Sequence, residues 1–117
     1  MSLQSDLYAL LNGTFTGRLY PSVAPFGAVA PYATYSRVSS IEQSTLDANG
    51  GTGNEANTRM QIDVWALSYS EASTKAEAVK TALKGWTTAN IILSEQDDYE
   101  PDTLLFRVML DLSIWHL

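Results

Sequence analysis

Two stretches of the chain alternate apolar and polar residues, and they resemble each other. Arg59-Met60-Gln61-Ile62-Asp63-Val64-Trp65 is echoed by Arg107-Val108-Met109-Leu110-Asp111-Leu112-Ser113-Ile114-Trp115. A period of two sends alternate side chains to opposite faces of a strand. The first pattern predicts a strand over residues 58–69, with Met60, Ile62, Val64 and Ala66 on its core face. The second predicts a strand over 103–116, with Leu104, Phe106, Val108, Leu110, Leu112 and Ile114 on the core face. The opposite faces carry Arg59, Asp63, Trp65, Leu67 and Tyr69 in one strand, and Leu105, Arg107, Met109, Asp111 and Trp115 in the other. In both strands an Asp follows the Arg by four residues, with a Trp beyond.

The rest of the chain supplies the partners. Leu3, Leu7, Leu10 and Leu11 make one apolar stripe at helical spacing, predicting a helix over 3–12 that stops at Asn12-Gly13. Residues 13–31 hold Gly13, Gly17, Pro21, Pro25, Gly27 and Pro31, a density that prevents a long regular element. They read as an extended surface segment with room for a short strand at Arg18–Tyr20. Aromatic and β-branched residues from Tyr32 predict a strand over 32–45. Residues 47–57, with Asn49, Gly50, Gly51 and Asn54, are small, polar and Gly-rich and are expected to form a flexible hairpin loop. Ala72, Ala76, Val79, Leu83 and Trp86 lie on one helical stripe, predicting a helix over 71–85 capped by Ser70 or Ser73. Ile91, Ile92 and Leu93 mark a strand over 89–95, and Gln96–Asp102 reads as a solvated acidic turn.

The element order α-β-β-α-β-β places the chain in the α+β class. One domain over 1–117 is expected, a mainly antiparallel four-stranded sheet with two helices packed on one face. The Arg–Asp repeat offers a register. With strand 58–69 antiparallel to strand 103–116, Arg59 opposes Asp111 and Asp63 opposes Arg107. The alternative is coincidental spacing on a solvated face. A strand of about 12 residues spans roughly 40 Å, whereas a helix of about 15 spans roughly 22 Å. Two such helices cover one face of the sheet and leave Trp65, Leu67, Tyr69, Met109 and Trp115 without cover. Apolar patches of this kind mark interfaces. A bent sheet, or residues 13–31 folded across it, is the intramolecular alternative.

Composition narrows the chemistry. The chain has 117 residues, no cysteine and one histidine, His116. Thiolate metal sites and disulfides are therefore excluded, and a histidine-based triad lacks parts. The formal net charge of −6 argues against a nucleic-acid backbone as partner. No run approaches the roughly 20 apolar residues of a membrane helix, and no secretory signal is recognisable. The 47–57 loop lacks the Gly-Lys-Ser/Thr ending of a phosphate loop, and the acidic stretch Glu95–Asp102 lacks calcium-loop spacing. Asp63 and Asp111 each share a face with an Arg, which favours a structural role over acid/base work. No cofactor is implied, and the chain is expected not to be an enzyme.

Leu19-Tyr20-Pro21 through Ala24-Pro25, then Pro31-Tyr32-Ala33-Thr34-Tyr35, resemble the N-terminal pattern of a family of small phage and prophage proteins. Arg59 to Ala66 is similar to their central strand, and the Ala-rich helix and Leu110–Trp115 complete the likeness over residues 3–116. The family, formerly a domain of unknown function, is described as tail completion, tail terminator or head–tail joining protein. The resemblance implies a bacteriophage structural protein of the virion tail or neck, present in the host cytoplasm during assembly. It implies a self-associated oligomeric ring, commonly a hexamer, that meets the tail tube protein and the head connector protein. No membrane and no direct nucleic-acid contact are expected. The interface residues expected are Arg59, Asp63, Trp65, Arg107, Asp111 and Trp115, with Asn49, Gly50, Gly51 and Asn54 of the loop. The rival reading is a stand-alone α+β ligand-binding or enzymatic domain, which calls for a deep polar pocket around Asp63 or Asp111.

Overall fold

The computed structural model describes residues 3–43 and 55–116. Helix α1 (Leu3–Leu11) runs on through a 3-10 turn at Asn12–Phe15. Strands β1 (Leu19–Pro21), β2 (Tyr32–Gln43) and β3 (Glu55–Ala66) follow, then helix α2 (Tyr69–Lys84) and strands β4 (Asn90–Glu100) and β5 (Leu105–His116). The strands form one sheet in the order β1-β2-β3-β5-β4. Pairings β2–β3, β3–β5 and β4–β5 are antiparallel, and β1 runs parallel to β2.

The sheet is therefore five-stranded and mixed, where four antiparallel strands were expected. The added strand is three residues long and lies among Gly and Pro, too short to display a period. Leu19 pairs with Ala33 and Pro21 with Tyr35, and the Ser22 N–H extends the pairing by donating to Tyr35 O at 2.8 Å. Proline is tolerated there because an edge strand needs no donor on its outer side.

Both helices lie on one face of the sheet. Leu7 and Leu11 of α1 and Ala72, Ala76, Val79 and Leu83 of α2 are buried against Met60, Ile62, Val64, Val108, Leu110, Leu112 and Ile114. These are the stripes and core faces that the periodicity identifies. Phe15 is fully buried in the same cluster, although the chain was expected to leave the helix at Asn12-Gly13. The 3-10 turn carries it inward, and Thr16 closes the turn in a left-handed conformation at φ 54°.

Several boundaries move. β3 ends at Ala66, because Ser68 starts α2: its side chain accepts from the Glu71 N–H at 3.1 Å. Ser68 is thus the cap, not Ser70 or Ser73. β4 continues past Glu95 through Asp97 and Asp98 to Glu100, so Gln96–Glu100, expected in a turn, lie in the strand. The run stays extended because most of this edge strand is exposed. Its carboxylates therefore keep their hydration while the backbone pairs with β5. The turn to β5 falls at 101–104, so Leu104 is 64% exposed and takes φ 59° instead of lying on the core face.

Candidate functional site

The face of the sheet opposite the helices is built from alternate residues of β2, β3, β5 and β4. Its central register pairs Gln61 with Asp111, Asp63 with Met109 and Trp65 with Arg107. The expected register, with Arg59 opposite Asp111, is off by two residues; Arg59 faces Ser113. Both ion pairs nevertheless form, on the diagonal. Arg107 Nη2 donates to Asp63 Oδ2 at 2.8 Å, and Arg59 Nη2 donates to Asp111 Oδ2. Diagonal neighbours in a sheet are within reach of a side chain as long as Arg. The two-residue shift places Arg107 across the Trp65 ring, with Cζ 4.8 Å from the centroid. Direct opposition to Asp63 would have moved it away.

Around that contact an aromatic row crosses the sheet. Tyr32 stacks on Trp65 with centroids 6.1 Å apart and planes inclined by 20°, and Tyr20 of β1 meets Tyr32 edge-on at 6.1 Å. Trp65 Nε1 donates to Thr34 Oγ1 at 3.5 Å. Burial is the first cause that raises the Tyr32 phenol above its ordinary value. Further along β3 the polar pattern continues. Asn57 Nδ2 donates to Ser113 Oγ at 2.8 Å, and the Gln61 amide donates to Asp63 Oδ1 at 2.9 Å. His116 is bonded through Nε2 to Thr58 Oγ1 at 2.7 Å.

The ion pairs differ in environment. The Arg107 and Asp63 side chains are 25% and 13% exposed, whereas Arg59 is 45% exposed. The first pair is partly desolvated; the second is mostly a surface pair, of a kind worth about 0–1 kcal/mol.

Trp65, Met109 and Trp115 lie on this face and are only partly buried, as expected of an uncovered face. Leu67 and Tyr69 do not belong to it. Leu67 is in the exposed link to α2. Tyr69 opens that helix and packs edge-on against Phe106 on the helix side, donating to Asp97 Oδ2 at 3.0 Å. Asn49, Gly50, Gly51 and Asn54 lie outside the described residues.

Asp63 and Arg107 line a shallow recess of about 300 Å³, together with Ser22, Val23 and Ala24 at the start of the Pro-rich segment. That segment therefore covers a corner of the face near Trp65. Asp111 borders a separate recess of about 110 Å³. Neither recess joins the two carboxylates, and each acid is held by an arginine. Among the described residues no group of His, Asp and Glu is arranged to hold a metal ion. No helix of the described residues is long and apolar enough to cross a membrane. What the face offers is aromatic area, aligned ion pairs and hydrogen-bonding side chains.

Comparison with known proteins agrees with the resemblance seen in the sequence. Residues 3–117 match the family of the tail completion protein gp17. The chain belongs to that family. No curated protein matches it. Among solved structures, it is similar to a chain in the virion of a native gene transfer agent particle, with a TM-score of 0.71 and 19% identity. That alignment covers 97% of this chain and 93% of the other, so the fold is shared over nearly the whole length. Membership of a tail completion family supports a structural role in a phage-type virion.

Proposed function

We propose that this tail completion family member is a non-enzymatic virion protein that ends the growing tail. In this reading it forms a ring and presents a surface on which the head connector docks. The observation that carries the proposal is the uncovered sheet face, where Tyr32, Trp65 and Arg107 form a partly buried row with no helix above it. A family whose members complete tails gives such a face an occupant: another protein of the virion. The Arg107–Asp63 pair holds the row rigid, so little ordering is left to be done on docking. The ring, its hexameric size, and the contacts to tail tube and connector follow from the family resemblance.

The test is electron microscopy of the purified protein mixed with tail tubes. Rings at tube ends are expected, and Met109→Asp, which places a charge on the uncovered face, should abolish them while leaving the circular dichroism spectrum unchanged. Tubes that remain bare with the unaltered protein at high concentration would overturn the assignment.

A further inference from the structure

Two stretches of this acidic chain, residues 19–36 and 85–94, contain no charged side chain. Each carries a fixed apolar feature. In the first, Phe26 is fully exposed, and Val23 and Val29 are mostly so. They lie on the segment between β1 and β2, which backbone bonds hold in place. The Val23 N–H donates to Pro21 O at 2.7 Å, and the Ala28 N–H donates to Pro25 O at 3.1 Å. The second bond closes a turn with Phe26 and Gly27 at its centre, and Gly27 takes the φ of 83° that favours glycine there. Arg18 Nε donates to Pro31 O at 3.0 Å and ties down the far end. The segment thus presents an apolar knob that lies outside the core cluster. In the second stretch, the chain leaving α2 forms a recess of about 520 Å³ lined by Leu83, Trp86, Thr88, Asn90 and Ile92. Its wall is braced by Asn90 Nδ2, which donates to Leu83 O at 3.1 Å and to Thr88 O at 2.8 Å. A recess of this size has room for a phenyl group.

We propose that the Phe26 knob of one copy of this chain seats in the recess of the next. The proposal rests on the ring reading above and names the contact between its subunits. Knob and recess cannot meet within one chain. The knob hangs from the β1–β2 side at the Tyr32 end, in the row that continues through Trp65 and Arg107. The recess lies on the β4 side, where Asn90 pairs with Ile114. Crossing from β1 to β4 and running from Arg107 to Ile114 separates them by roughly 30 Å. Charge argues for a second copy as the occupant. Copies with a net charge of −6 repel each other, and this contact joins two stretches that carry no carboxylate. The charge at the recess rim is Lys84, a cation without an ion pair among the described residues, which an acidic neighbour attracts. Area argues for a ring over a pair. Phe26 brings roughly 150–250 Å². With Val23, Val29 and the matching wall, the contact buries on the order of 800 Å² in total, short of the roughly 1,200 Å² of a stable pair. In a closed ring every copy makes two such contacts, one through its knob and one through its recess. Because the two surfaces differ, the contact is head-to-tail and propagates until the ring closes.

Both features are at the surface, so each can be altered without touching the core. Phe26→Ser removes the knob, and Ala89→Trp fills the recess from an exposed position on its rim. Each should weaken ring formation at tail-tube ends about tenfold or more, with an unchanged circular dichroism spectrum. The chain has no cysteine, which makes cross-linking selective. Val29→Cys and Thr87→Cys proteins, purified separately and then mixed on tail tubes with a flexible bismaleimide, should give a 29–87 linked dimer that neither gives alone. Links of 29 to 29 would overturn the proposal by showing a two-fold contact, and links from 29 to the tube protein would overturn it by giving the knob another occupant. Rings that form without a 29–87 link, and that tolerate both surface changes, would overturn it while leaving the ring reading standing. Tube ends that stay bare with the unaltered protein would remove the two together.

Discussion

Arg107 lies over the ring of Trp65, its directly paired neighbour across β3 and β5, with the guanidinium carbon 4.8 Å from the ring centroid. The same guanidinium holds Asp63 at 2.8 Å. One cation therefore joins an aromatic surface to a carboxylate, and truncating it removes both contacts. Arg107→Ala is expected to cost about 1–3 kcal/mol, while Arg59→Ala costs less, within about 0–1 kcal/mol, because its pair is largely hydrated. Urea unfolding of the two variants checks the difference; equal losses would refute it.

Phe15 is fully buried at the end of the 3-10 turn, within the cluster formed by α1 and α2. Phe15→Ala should destabilise the fold by about 3–5 kcal/mol, as other large-to-small core changes do. Thermal unfolding would show it as a fall in Tm of many degrees. A fall comparable to that of an exposed-site change would show that the turn is not part of the core.

Ser68 caps α2 by accepting from the Glu71 N–H. Ser68→Ala should cost about 1 kcal/mol and Ser70→Ala far less. The two proteins compared by chemical denaturation separate this cap from the one expected on sequence grounds.

The phenols of Tyr32 and Tyr35 are raised above 10.0 first by burial, and that of Tyr69 first by its hydrogen bond to Asp97. In each case the folded value exceeds the unfolded one, so the native state holds the proton more tightly. Their contribution to stability is complete below about pH 10 and is lost as pH rises through the folded values. Unfolding experiments on the alkaline side should show stability falling as pH rises, and falling less steeply in Tyr32→Phe. An identical slope in the variant would show that Tyr32 takes no part.

Local order along the chain was legible wherever a period ran long enough to repeat. The buried stripe of α2, the core face of β3 and most of that of β5 follow directly from the spacing of apolar residues, because burial of one face demands that spacing. The two Arg–Asp pairs were legible as well, since both strands carry the same interval. Three features were not legible in full. β1 was anticipated only as room for a short strand at Arg18–Tyr20, one residue from its place at Leu19–Pro21, and its parallel pairing with β2 could not be read because three residues show no period. The acidic half of β4 opposes its own weak strand propensity, and β5 holds it extended at an edge where the charges stay hydrated. The offset between β3 and β5 rests on which side chains fit across the pair. Charge alternation is satisfied both by direct and by diagonal pairing, and only packing of the Arg107 guanidinium over Trp65 distinguishes them. Residue order thus specified which faces are apolar and which charges travel together. Three-dimensional packing chose the register, paired the fifth strand and left one sheet face without a helix above it, because those outcomes depend on contacts between residues far apart in the chain.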